Sequence, residues 1–341
     1  MTAGNIRGRH CLPGSFLRLK HNKKKCKIVR VTKKHLFAAL KILIALVVCG
    51  CVGWKLCTSW NEIKEFPWTP NYPVLVLAGI CYAVAFIPAA VFWRYAIQTL
   101  GQKPGLYETF RAYYIGHLGK YVPGKAMVLI IRTGLLNHEK TKITAAGASV
   151  FVETMTMMAV GAFIAALIAA VWFRQTEHGN LPWLLALGVM VGTMLPILPP
   201  VFHFVAKRLK KFKVELEGLS FKTLAVGWVL NIPVWIVLGV SLWLTMQGLG
   251  VESESVIAEL PTCILAVSLS IVAGFVSMLP AGLGSREAVM ILILTLFFTT
   301  HPIGAIEPSG IATVVVTVHR MISILSELVV SAILAFSLKN Q

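Results

Sequence analysis

From Thr262 to Phe298 the chain runs through apolar residues and is interrupted once, at Leu279-Pro280-Ala281-Gly282-Leu283-Gly284-Ser285-Arg286-Glu287. Arg286 and Glu287 are the only charged residues in that run. Proline removes a backbone donor and glycine weakens a helix, so a helix ends there. Lipid offers the freed N–H and C=O groups no partner; the break is tolerated only where protein or a water-filled cavity satisfies them. Ionisable residues at that depth are by default a functional-site hypothesis.

Composition places the rest of the chain in the same setting. Of 341 residues, 57% are hydrophobic and 13% charged, about half the charged share of a soluble domain. The net charge of +18 suggests nucleic acid at first sight, but its placement argues against that. Residues 1–34 hold eleven Lys and Arg and no acid, and Lys207, Arg208, Lys210, Lys211 and Lys213 form a second cluster. Both flank apolar spans, as cytoplasmic segments of a membrane protein do, and both suit contact with anionic lipid headgroups. No nucleic-acid partner is expected.

All fourteen acids are Glu, which removes Asp-based metal sites, aspartyl-phosphate chemistry and DxD patterns. The seven cysteines include no CxxC pair, so neither disulfides nor zinc are expected. The basic N-terminal region is too long, and the apolar run after it too extended, for a cleaved signal.

Six stretches read as full spans: Leu36–Cys57, Tyr72–Leu100, Ile143–Trp172, Leu181–Val205, Phe221–Met246 and Ser309–Leu338. Leu106–Leu136 and Val256–Phe298 read instead as helical pairs that dip in and return, the first from the cytoplasm and the second from outside. Both basic clusters and both termini are then cytoplasmic, and only Lys64 and Arg174 fall outside. A single crossing by either region would invert every later span and place basic clusters outside. The expected fold class is an all-α polytopic membrane protein with six full spans and two re-entrant helical pairs. A basic tail, 1–34, precedes a single transmembrane domain, 35–341. Within it, residues 72–172 and 221–338 would form an inverted-topology repeat whose broken helices meet near the midplane.

Each break gathers charge. Lys120, Lys125 and Arg132 surround Tyr121-Val122-Pro123-Gly124-Lys125, and the N-terminus of the helix beginning near Lys125 favours an anion. In the second break Gly282, Gly284 and Ser285 open a helix with Arg286 and Glu287 in its first turn. Glu287 suits that position; Arg286 there needs an anionic partner from protein or substrate. The plainer alternatives are a water-facing turn at the first break and a structural Arg286–Glu pair at the second. Thr313, Thr317, Arg320, Glu327 and Ser331 share a face of the last span, and Ser149, Glu153 and Thr156 share one on the third. Glu153 and Arg320 are candidates to pair across the repeat interface, as structural partners or as substrate contacts. No nucleotide-binding glycine loop, GxSxG or HExxH occurs, so neither a catalytic set nor a cofactor is expected.

Leu118-Gly119-Lys120-Tyr121-Val122-Pro123-Gly124-Lys125 with Arg132, followed by Gly274-Phe275 and Pro280-Ala281-Gly282-Leu283-Gly284-Ser285-Arg286-Glu287, resembles the transmembrane region of lysylphosphatidylglycerol synthases and their stand-alone relatives. The resemblance covers roughly residues 36–338. It implies a lipid flippase, with Lys120, Tyr121, Gly124, Lys125, Arg132, Glu153, Gly282, Gly284, Arg286, Glu287 and Arg320 at marked positions. Aminoacyl transfer belongs to a separate domain in the two-domain members and is not expected of residues 1–341. Ala281 stands where the family pattern has the first of two glycines, and Thr154 stands where an Arg commonly follows the Glu.

Residues and resemblance together lead to a translocator of a lipid or lipid-linked precursor with an anionic headgroup, in the cytoplasmic membrane. Its partners would be membrane lipids, a second copy of the chain or a lipid-synthesis enzyme. An integral membrane enzyme or accessory subunit of polyprenyl or hopanoid-type lipid metabolism is the alternative, with a small-solute transporter third.

Overall fold

A computed structural model describes residues 68–121, 126–136, 143–172, 220–251, 256–303 and 307–336, with isolated positions between 184 and 201. Within them every regular element is helical. The expected spans Leu36–Cys57 and Leu181–Val205 lie outside the described residues, apart from those isolated positions. So do Gly124 and Lys125 of the first break.

Tyr72–Leu100 reads as one span and is found as two stacked helices, α1 (Tyr72–Ala85) and α2 (Ile87–Thr99). Pro88 in the first turn of α2 has no N–H to return to α1, so the ladder breaks at Phe86 and resumes with Ala90 N–H on the Phe86 carbonyl at 3.0 Å. A short 3₁₀ turn, Leu118–Tyr121, follows α3 (Leu106–His117), and α4 (Ala126–Leu135) comes next. Helix α5 occupies Ile143–Trp172, the span read from the sequence. Helix α6 (Phe221–Gly248) starts at a Ser220 cap. Helix α7 (Val256–Val276), a 3₁₀ turn at Pro280–Gly282, α8 (Ser285–Thr300) and α9 (Pro308–Phe336) complete the described chain.

Lengths separate the two broken pairs. With 12 and 10 residues, α3 and α4 reach about 18 and 15 Å, short of the roughly 30 Å of a bilayer's apolar core. Helix α7 and the segment Pro280–Thr300 each have the length and apolar composition of a full crossing, as do Tyr72–Thr99, α5, α6 and α9, giving six such helices among the described residues. The chain is thus an all-α polytopic membrane protein.

Helix α6 is the hub, packed against α1, α2, α5, α7 and α9. Small residues set that closeness, the usual device where apolar burial gives helices no preference for each other over lipid. A Cβ on Gly227 would lie 2.4 Å from the Phe92 ring, one on Gly239 2.3 Å from Ile264, and one on Gly248 2.6 Å from Leu75. Buried polar groups tie the same helices together. Ser241 Oγ donates to the Ala78 carbonyl at 2.8 Å, Trp93 Nε1 to Ser149 Oγ at 3.0 Å, and Thr245 Oγ1 meets His319 Nδ1 at 3.1 Å. Side chains such as Val76, Ile80, Val229, Leu325 and Ile333 point outward, a surface suited to lipid.

Candidate functional site

The two 3₁₀ turns lie against each other, so the breaks legible in the sequence form one locus. Each is clamped to a long helix by a carboxylate. Glu327 of α9, buried, takes Lys120 Nζ at 2.5 Å and Tyr82 Oη at 2.7 Å on Oε1, and Tyr121 Oη at 2.9 Å on Oε2. His117 Nε2 stands 3.7 Å from the same carboxylate. Glu153 of α5 accepts from Arg132 Nη1 at 2.7 Å and from Tyr113 Oη at 3.0 Å. The Arg132 guanidinium also lies over the Tyr113 ring, 3.9 Å from its centroid, a desolvated cation–π contact added to the ion pair.

At the second break Glu287 Oε2 accepts the Gly284 N–H, which caps α8. Its other oxygen lies 2.7 Å from Arg320 Nε, at an angle that makes an ion pair without a hydrogen bond. Arg320 Nη2 reaches on to the Ala281 carbonyl at 3.2 Å. Ser285 Oγ is used within the turn, on Ser277 Oγ and the Gly282 carbonyl.

These partners correct two sequence readings. Glu153 and Arg320 do not pair; each meets a cation or carboxylate from the break beside it. For Arg132 the approach is opened by Gly116, where a Cβ would fall 2.3 Å from Arg132 Cγ. Nor is the structural Arg286–Glu pair found among the described residues; the nearby Glu287 carboxylate is taken by Arg320. Of the expected cations, Lys120, Arg132 and Arg320 are committed to carboxylates, and Lys125 is outside the described residues.

Arg286 is different. It is 9% exposed, its Nε is buried without a partner, and among the described residues its guanidinium makes no ion pair. Arg320, Glu287 and Glu327 act on it electrostatically without reaching it. Its stem passes between two glycines: a Cβ on Gly274 would lie 2.4 Å from Arg286 Cγ, and one on Gly282 2.8 Å. Gly282 has φ +67°, which a side chain would strain as well. The guanidinium lines a cavity of about 510 Å³, within the range of small-ligand sites. The polar end of that cavity carries Tyr82, Tyr113, His117, Lys120, Arg132 and Glu153. Its remaining wall is apolar and rich in methionine and phenylalanine, including Phe151, Met155, Met158, Phe275 and Met278. Phe151, Val276 and Met278 are also exposed on the outer surface, at 40%, 58% and 58%, so the apolar wall continues to the outside of the helical bundle.

The model of the lysylphosphatidylglycerol synthase transmembrane region matches residues 39–331. The chain belongs to that family. No curated protein matches it. The family match spans both breaks and every carboxylate clamp between them and the long helices. Within this family member, Tyr82 and Tyr113 are the site residues that sequence reasoning left out, and Glu327 was read only as one of the polar residues sharing a face of the last span. Glu327 was visible as an acid deep in the last span; its partners were not, lying 207 and 245 residues away at Lys120 and Tyr82. Among the described residues no group of three His, Cys, Asp or Glu side chains is placed to hold a metal.

Proposed function

We propose that this protein moves a lipid, or a lipid-linked precursor, with an anionic headgroup between the leaflets of the cytoplasmic membrane. One observation carries the reading: Arg286, nine-tenths buried and without an ionic partner among the described residues, faces a cavity that is polar at one end and apolar towards the surface of the bundle. A buried unpaired cation is costly unless a ligand supplies the counter-charge. The N-terminus of α8 adds its dipole at the same place. Acyl or prenyl chains would follow the apolar wall outward while the headgroup sits against Arg286.

In this reading the single transmembrane domain, 35–341, holds the two broken pairs as opposed units of an inverted repeat, the first re-entrant and the second, expected to be re-entrant too, with arms long enough to cross fully. The termini and basic clusters face the cytoplasm. The contact between the two 3₁₀ turns supports it, because alternating access requires breaks from both halves at one site. The short α3 and α4 support re-entry for the first pair. The test compares leaflet-resolved lipid composition in cells with the protein, without it, and with Arg286→Ala at equal membrane abundance. Altered sidedness of one anionic lipid, lost in the variant, supports translocation. A lipid species made or consumed without any change in sidedness overturns it in favour of an enzyme.

A further inference from the structure

Resting on that reading, we infer which headgroup the cavity accepts: one phosphodiester and no amine. Every carboxylate at the breaks is already used on both oxygens. Glu327 holds Lys120 and Tyr82 on one and Tyr121 on the other. Glu153 holds Tyr113 on one and Arg132 on the other. Glu287 holds Arg320 on one and the Gly284 N–H on the other. An ammonium entering the cavity therefore meets no free carboxylate among the described residues, and it meets the positive charge of Arg286. Bringing it in would cost its hydration and return a like-charge repulsion.

The charge count points the same way. At the two breaks Lys120, Arg132, Arg286 and Arg320 face Glu153, Glu287 and Glu327. One positive charge is left over among the described residues, and it sits on the guanidinium that opens into the cavity. A phosphodiester supplies one negative charge and two oxygens suited to a guanidinium fork. A phosphomonoester would bring an excess negative charge, whereas lysylphosphatidylglycerol, the lipid in the family's name, adds two amines to its phosphodiester. The apolar wall reaching Val276 and Met278 at the bundle surface makes the phosphodiester part of a lipid rather than a free phosphate.

Purified full-length protein in nanodiscs of neutral lipid tests this by competitive binding of phosphatidylglycerol, lysylphosphatidylglycerol, phosphatidylethanolamine and the soluble phosphodiester glycerophosphoglycerol. Phosphatidylglycerol is expected to bind at least about tenfold more tightly than either amine-bearing lipid, with glycerophosphoglycerol a poor competitor. Arg286→Gln should remove the preference. Arg132→Gln, which frees the cavity-lining Glu153 of its cation, should raise lysylphosphatidylglycerol binding, a gain that misfolding does not produce. Equal or tighter binding of lysylphosphatidylglycerol by the unaltered protein overturns the headgroup assignment and leaves the lipid site standing. Glycerophosphoglycerol competing as well as the lipid overturns the lipid as its source. Absence of any lipid preference, unchanged by Arg286→Gln, overturns the lipid-cavity reading itself.

Discussion

Substituting Gly274 with alanine isolates the contribution of the arginine cradle. The new Cβ would lie 2.4 Å from Arg286 Cγ and 3.0 Å from Cδ. Carbon atoms in contact settle near 3.5–4.0 Å, so the Arg286 stem must retreat by roughly 1 Å or more. The same Cβ would also lie 3.2 Å from Gly282 Cα, so the added methyl crowds the backbone of the second break as well. Overpacking of this kind costs about 1–3 kcal/mol of stability. A guanidinium drawn back by an ångström also loses a charged hydrogen bond to its ligand, about 1.5–3 kcal/mol, or roughly ten- to a hundred-fold in affinity.

The assay is phosphatidylglycerol binding in nanodiscs alongside thermal unfolding. Gly134→Ala is the control: nothing lies within 4 Å of its Cβ, and alanine is the better helix former, so both readouts should hold or improve. Introducing Gly274→Ala into an Arg286→Ala background should cost much less stability than in the wild type, since Cγ and Cδ are gone. A Gly274→Ala protein that binds lipid as the wild type does would refute the cradle. So would an equal stability loss in the Arg286→Ala background, which would locate the clash elsewhere.

Glu153→Gln leaves the buried Arg132 charge without its counter-ion and should lower stability by about 3–5 kcal/mol, measured as a fall in Tm. Glu153→Gln combined with Arg132→Met should recover much of that loss, and an additive loss would show that the pair is not coupled. Ala281 has φ +52°, a left-handed conformation that costs a side-chain-bearing residue about 1–2 kcal/mol; Ala281→Gly should therefore raise Tm, and a lowered Tm would show that the methyl contributes more by packing than the backbone loses.

Much of the fold could be read along the chain because membrane helices announce themselves locally. Helix α5 has the bounds read from its apolar run, and α6 and α9 extend the read spans by a residue or two at most at their described ends. The second break coincides with the Pro and Gly residues that signal it, whereas Pro123 and Gly124 of the first lie outside the described residues. The split at Phe86 was also local, through Pro88, but an unbroken apolar run masked it. Pairings were harder. That Arg132 takes Glu153, and Arg320 takes Glu287, depends on the space left by Gly116 and on the angle at which α9 meets the second break. Neither is visible in residue types. Charge class alone made Lys120, Arg132, Arg286 and Arg320 equivalent, whereas their partners make three of them clamps and leave Arg286 to the cavity.

The central claim is tested most directly in proteoliposomes containing a short-chain fluorescent phosphatidylglycerol, by quenching the outer leaflet with dithionite and following the protected fraction. Wild-type protein is predicted to expose the inner-leaflet probe and leave only a small protected residue, whereas folded Arg286→Ala should retain the protection of protein-free vesicles. Equal exposure by wild type and Arg286→Ala would contradict the account.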